Sequence, residues 1–251
     1  VLAVSADGAQ DILMGASLDG DAVLVMRGGC ASSGPVWLYD GSFATKTYTG
    51  VDVSSQLTGL NIFEARFALV PDGLSVVGVL SGAVRGFGSR TRASRGTTSF
   101  GPLVTSDFAA VNAFVSTFVE IRGPYLSFDG LSLFFRGRTT DDASNGSEDK
   151  NYEARRATNS VPFEAPAVVA GDIGLYDIVS LSSDRLTAFS VRNWGTDVFI
   201  RPSLDATFVK QSTAALTAFR SFPIGENCTQ IMANSTIAGC PLEEVYWFDA
   251  L

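Results

Sequence analysis

Four arginines raise the first chemical question. Arg27 and Arg192 each lie eight residues after an aspartate, Asp19 and Asp184, and Arg136 and Arg138 flank the matching position, Gly137. Guanidinium groups that recur at one place in a repeat would gather on one rim. There they can grip a carboxylate or sugar hydroxyls, or pair with acidic side chains of neighbouring elements. Among the aromatics, Trp194 sits in the loop RNWGTD and is the candidate for an exposed contact. Trp37, Tyr39, Tyr246 and Trp247 fall in strand-like runs, where packing claims them.

Several chemistries are missing. The chain has no histidine, which removes the usual general base, the commonest metal ligand and any Ser-His-Asp triad. Three cysteines cannot complete a four-thiolate zinc site. The polar insertion RTTDDASNGSEDKNYE, 138–153, brings Asp141, Asp142, Glu148 and Asp149 together, but Tyr152 stands where an EF-hand needs its bidentate glutamate. Composition makes that insertion a solvated tip. No catalytic residue, metal or cofactor is expected.

The elements that must carry these residues are strands. Phe (18) far outnumbers Met (3) among the apolar residues, a bias that suits strands. The segment FAAVNAFVSTFVEI, 108–121, comes closest to helical spacing, although its β-branched residues also suit a strand.

An Asp-Gly turn between two such runs recurs along the chain. Asp19, Asp72, Asp129 and Asp184 anchor four copies, and Glu226-Asn227 stands in the turn of a worn fifth; successive anchors are 53, 57, 55 and 42 residues apart. A period of about 50 residues is the size of a four-stranded propeller blade. After each turn come an apolar strand, a variable loop, an aromatic strand and then a lone phenylalanine: Phe43, Phe100, Phe163 or Phe208. One such sheet has two apolar faces and cannot bury both alone, so copies must pack face to face around a ring. The aspartates are turn chemistry: the carboxylate accepts from backbone N–H groups two residues on, and the next residue takes positive φ.

The fifth copy stops after its third strand, and VLAVSADG at the start is a spare strand. The two shortages fit each other. Residues 1–251 therefore read as one all-β domain, a β-propeller of five four-stranded blades closed by the N-terminal strand, with six blades as the alternative count. An open ring would leave an unpaired edge.

Cys30 and Cys240 each lie seven residues before a tryptophan, Trp37 and Trp247, in equivalent loops of the first and fifth copies. Ring closure makes those copies neighbours, so a Cys30–Cys240 disulfide is the favoured pairing. Cys228–Cys240 and three free, buried thiols are the alternatives. Sequons at Asn145, Asn227 and Asn234 are weak support for secretion.

The net charge of −8 makes nucleic acid an unsuitable partner. With no run of 18 uncharged apolar residues, no membrane-inserted helix is expected. The chain begins at Val, as a trimmed or mature form would.

The blade pattern resembles the PD40, or TolB-like, family of propeller repeats. The third copy carries it best, with Pro124, Leu126, Ser127, Asp129, Gly130, Leu133, Phe134 and Phe135, then Asn151-Tyr152 with Arg155 or Arg156, then Phe163 and Pro166. The second shows Phe100-Gly101-Pro102, and the fourth Asp197-Val198-Phe199 and Arg201. The first and fifth copies depart from it. The resemblance implies an exported scaffold or interaction module with no shared catalytic residues. The function expected is therefore a non-catalytic binding module, secreted or in the cell envelope. It would be monomeric and take a protein or glycan partner at Arg27, Arg136, Arg138, Arg192 and Trp194. The alternatives are a carbohydrate-binding lectin and a glycan-acting hydrolase. A hydrolase needs paired carboxylates at the ends of the first strands, where only Asp11 and Asp177 lie.

Overall fold

The computed structural model describes residues 11–17, 19–27, 34–61, 69–70, 72–82, 85–145, 149–171, 173, 177–182, 184–192, 195–211, 219–224, 230–235 and 244–249. Residues 11–13, 177, 179–180, 191–192, 195–196, 219–224, 230–235 and 244–249 are described by their backbone pairing alone.

Five antiparallel sheets follow one another in chain order among these residues. The first holds β1 (Asp11–Ala16), β2 (Ala22–Arg27), β3 (Val36–Ser42) and β4 (Thr47–Asp52). The second holds β5 (Leu60–Asn61), β6 (Ser75–Leu80) and β7 (Phe87–Thr91). Bridges from Val104 to Ser89 and from Phe100 to Arg92 stand where its fourth strand would run. A short helix, α1 (Ala109–Val115), leads into the third sheet: β8 (Phe118–Leu126), β9 (Ser132–Thr139), β10 (Lys150–Arg155) and β11 (Ala167–Val168), with helix α2 (Thr140–Ser144) between β9 and β10. The fourth holds β12 (Asp177–Leu181), β13 (Thr187–Arg192), β14 (Gly195–Ile200) and β15 (Val209–Gln211). The fifth holds β16 (Phe219–Ile224), β17 (Gln230–Ser235) and β18 (Glu244–Asp249).

The two-residue period of a strand sorts each sheet into two cores. Along β2, Ala22, Leu24 and Met26 join a cluster with Leu69 and Val76 of the second unit, whereas Val23 and Val25 face the opposite cluster. Along β9, Leu133 and Phe135 pack toward Val77, Val79 and Phe87, and Phe134 packs toward Ile178, Ala188 and Phe199. A fully buried Phe134 side chain contributes about 1.5–3 kcal/mol by leaving water. The sheets thus stack face to face in sequence order, as the blades of a propeller do. The segment 108–121 proves to be both things that its sequence allows, the seven-residue helix α1 followed by the start of β8.

The turns follow the expected chemistry. Asp19 accepts from the N–H of Asp21 (3.1 Å), Asp72 from Leu74 (2.7 Å), Asp129 from Leu131 (3.0 Å) and Asp184 from Leu186 (2.9 Å). Gly20, Gly73, Gly130 and Arg185 take the positive φ, 62 to 75°.

A second device, not anticipated from the sequence, locks each turn. The carbonyl of the positive-φ residue accepts from Arg92 Nε at Gly73 (3.0 Å), from Arg156 Nε at Gly130 (2.7 Å) and from Arg201 Nε at Arg185 (3.0 Å). In the first sheet Gly41 occupies the arginine's place, and Tyr48 donates its hydroxyl to Gly20 instead (2.7 Å). A Cβ at Gly41 would lie 2.1 Å from the Thr47 carbonyl oxygen, so no side chain fits there. The lone phenylalanines are buried, and two of them carry these guanidinium groups: Arg156 lies 4.5 Å from the Phe163 ring centre and Arg201 4.4 Å from that of Phe208.

Candidate functional site

The third sheet is longer than its neighbours at the end away from the turn. β8 has nine residues, against six for β1, two for β5 and five for β12. β9 ends ten residues after its turn aspartate, against eight for β2, β6 and β13. Two further residues in β9 extend the hairpin by roughly 7 Å. The result is a lip, flanked by α1 before β8 and capped by α2 after β9. Register shifts between Phe118 and Glu120 and between Arg122 and Tyr125 re-aim its side chains.

The lip concentrates charge. Glu120 pairs across the strands with Arg138, and Arg122 sits opposite Arg136. Two like charges directly opposite repel, and the counter-ion comes from the stretch between α2 and β10. Asp149, 7% exposed, pairs with Arg122, with Arg136 (3.6 Å) and with Arg138 (3.7 Å). Glu120 bridges Arg122 (3.3 Å) and Arg138 (3.2 Å) on their other side. Arg122, Glu120, Arg138 and Asp149 therefore form a closed ring of alternating charge, with Arg136 beside it. Among the described residues three guanidinium groups and two carboxylates meet at the lip. The Nε atoms of Arg122 and Arg138 are buried without a hydrogen-bond acceptor among the described residues.

Gly137 makes this spacing possible. A Cβ there would lie 2.6 Å from the Phe118 ring, so the glycine lets the ring cover one face while Arg136 and Arg138 turn to the other. The capping helix is ordered by its own sequence. Thr139 and Asp142 form a reciprocal capping box, and Lys150 pairs with Asp142 at 2.5 Å. The hydrogen bonds from Lys150 and then Thr139 hold the Asp142 carboxyl below the usual range. The expectation of a solvated tip holds for Thr140, Asp141 and 143–145, which are exposed, and is corrected at Asp142 and Asp149, which are both buried counter-ions. Among the described residues no group of three or more acidic, histidine or cysteine side chains is placed to hold a metal.

The arginines singled out by spacing fare differently. Arg136 and Arg138 are brought together, joined by Arg122, and their acidic partners lie in their own sheet. Arg27 ends β2 and lies 5.1 Å from the Trp37 ring centre. Arg192 ends β13, and its side chain is outside the described residues, as are Trp194, Cys30, Cys228 and Cys240. Arg122 and Glu120 were missed, and Asp149 was read as one acid of the insertion, not as the partner of these arginines. The signal was available in the paired alternations Glu120-x-Arg122 and Arg136-x-Arg138, which place four charged groups on one face once the two strands are aligned.

A second charged group lies near the turn end. Glu153, 7% exposed, accepts from Ser132 (3.0 Å), Arg155 (2.9 Å) and Arg201 (3.1 Å). Burial pushes its carboxyl up, but the hydrogen bonds from Arg155 and Arg201 win and hold it below the usual range. It lines a cleft of about 320 Å³ between the outer edges of the third and fourth sheets, with Glu164, Val168 and Asp205 at its mouth. Its buried charges are internally satisfied, so the cleft offers less unmatched chemistry than the lip.

These features define an all-β protein of stacked antiparallel sheets with one charged, protruding edge. No family model and no curated protein matches the chain. Solved structures do. A Hadza microbial sialidase, Hz136, aligns with a TM-score of 0.51 at 8% identity, over 90% of this chain and 53% of its own. TolB from Acinetobacter baumannii aligns with a TM-score of 0.49 at 13% identity, over 96% and 52%. The β-propeller domain of the Trilobed protease from Pyrococcus furiosus gives 0.38 at 10%, over 96% and 69%. The likeness to the sialidase is one of fold alone. The chain spans about half the length of the sialidase and TolB chains. No helix among the described residues is long and apolar enough to cross a membrane.

Proposed function

We propose that the protein is a non-catalytic binding module: a five-bladed propeller, closed by the N-terminal strand, that presents the lip of its third sheet to a ligand. Two features support the ring. The first strands of the first and fifth sheets touch, and Val23, Val25 and Tyr39 of the first sheet share a core cluster with Tyr125, Phe134 and Ile178 of the third and fourth. A secreted or envelope setting and a monomeric state complete the reading; the setting follows from the PD40-like repeat.

The single observation that carries the binding reading is the fate of the buried carboxylates. Asp142, Asp149 and Glu153, the buried acids among the described residues, are all held by cationic side chains. A general acid needs a carboxyl kept protonated near neutral pH, whereas the carboxyls of Asp142 and Glu153 are held below the usual range. The hydrolase reading rests on Asp11 and Asp177, which open β1 and β12.

The test has two arms. A panel of chromogenic glycosides, esters and peptides should show no turnover above buffer. Glycan and protein arrays should register binding that Arg138→Gln lowers while Tm barely moves, with Trp194→Ala as a second variant. Turnover that Asp11→Asn or Asp177→Asn removes would overturn the reading.

A further inference from the structure

The outer edges of the third and fourth sheets are finished differently. In the fourth, Gln211 turns its side-chain amide onto the Val209 carbonyl (3.1 Å), and Lys210 sets a charge on the edge strand. In the third, β11 carries only Ala167 and Val168, both exposed, Val168 at 55%. We infer that this edge, with the cleft of about 320 Å³ beside it, receives an extended segment of a partner protein and takes one lysine or arginine side chain of that segment into the cleft. The surface is separate from the lip, and the inference does not rest on what the lip binds.

Three observations carry it. The first is an open ladder position. Val169 donates to the Asn151 carbonyl (2.8 Å), so Val168, one residue earlier, turns its own N–H and C=O away from β10. Neither group has a partner among the described residues, and an added strand satisfies both. The second is the size of the cleft. Its volume lies at the small end for bound ligands, about 300–1,000 Å³, which is room for one long side chain. Ala165, Ala167, Ala170 and Ala206 line it and leave space for an aliphatic stem. The third is charge. The guanidinium groups of the cleft, Arg155 and Arg201, are engaged by Glu153. At the mouth, Glu164 is exposed and has no side-chain partner among the described residues, and Asp205, paired with Arg155 at 2.7 Å, is still 90% exposed. A basic side chain complements such a mouth, and an acidic one is repelled.

Strand geometry sets the recognised pattern. Ala167 stands opposite Glu153 and Val168 opposite Tyr152, so a strand laid beside β11 sends alternate side chains to these two faces. The basic residue falls on the Glu153 side. Its two neighbours fall on the side of Val168, where apolar groups suit, and the segment reads apolar, basic, apolar.

The experiment titrates the full chain with the pentapeptide acetyl-Thr-Val-Lys-Val-Thr-amide, followed by calorimetry or ligand-observed NMR. The expected result is saturable binding that weakens with added salt and is lost when norleucine or glutamate replaces the lysine. Val168→Pro removes the edge N–H at a place where no hydrogen bond to β10 depends on it, and should lower affinity about tenfold. Glu164→Lys should lower it about tenfold or more, since like charges then meet, and Glu164→Gln about three- to fivefold. Arg138→Gln at the lip should change nothing. Circular dichroism confirms that each variant folds; if Val168→Pro does not, backbone N-methylation of the peptide decides, and should abolish binding at one of its three central residues. No binding, equal binding of the norleucine peptide or of lysine amide alone, or indifference to both Val168→Pro and Glu164→Lys overturns the inference. A dimer of the free chain that Val168→Pro dissolves overturns it too, since the occupant is then a second copy. Each of these outcomes leaves capture at the lip untouched, and loss of capture at the lip leaves this surface untouched.

Discussion

At one end of the third sheet, Asp129, Gly130 and Arg156 repeat what Asp72, Gly73 and Arg92 do in the second and what Asp184, Arg185 and Arg201 do in the fourth. At the other end, Glu120, Arg122, Arg138 and Asp149 have no matching cluster among the described residues of the adjacent sheets. Both ends use guanidinium groups, but to different purpose. At the turn end each arginine satisfies a backbone carbonyl whose own chain cannot do so, and a buried phenylalanine supports two of the three. At the lip the arginines satisfy one another's counter-ions and keep faces in solvent. A repeated arginine therefore belongs to the blade's construction, and an unrepeated cluster on an extended hairpin is free to serve a ligand.

Variants should separate the two ends. The largest effect is expected from Arg201→Met. Arg201 is 2% exposed, and its loss strips Glu153 of its most buried counter-ion and leaves the Arg185 carbonyl unsatisfied. Breaking a buried pair on one side costs about 3–5 kcal/mol, measurable by urea denaturation, while binding at the lip stays unchanged under native conditions. The same network makes stability pH-dependent. Because the Glu153 carboxyl is held below its ordinary value of 4.5 in the folded protein, its contribution is complete above that pH and is lost as pH falls from there through the lower folded value. The drop in Tm over that range should be blunted in Glu153→Gln.

A smaller loss, about 1 kcal/mol, is expected for Tyr48→Phe, which removes the hydroxyl from the Gly20 carbonyl. Burial, and then the charges of Asp21 and Asp19, push the Tyr48 hydroxyl up, so it stays a donor through the alkaline range and the loss should not vary between pH 6 and 9, roughly four to one units below the ordinary tyrosine value near 10. The smallest stability change belongs to Arg138→Gln. A half-exposed ion pair contributes about 0–1 kcal/mol, so Tm should barely move while lip binding falls. A large loss of stability there, with binding intact, would erase the contrast between the two ends.

Much of the fold was legible because its rules are local. Alternation along AVLVMR and LSLFFR sorts side chains to two faces whatever the partner sheets are, and Asp-Gly turns close within four residues. Asp184-Arg185 shows the tolerance of that rule, since an arginine takes the glycine conformation at φ 62°. Fourth strands were harder to read: β11 has two residues and β15 three, and only the buried phenylalanine before each marks the place. The insertion 138–153 misled because composition reports average solvation and misses a capping box and two specific counter-ions.

What the sequence by itself determined was the repeated sheet, its turns and its two apolar faces, because strand period and turn chemistry act over a few residues. Only the tertiary structure decided which charged groups meet. Arg122 meets Glu120 and Asp149, and sits opposite Arg136, through a bulged register. Tyr48 and not an arginine caps the first turn because Gly41 leaves room for its ring. Such pairings depend on distances of a few ångströms between residues far apart in the chain, and Coulomb and hydrogen-bond energies are decided at that range.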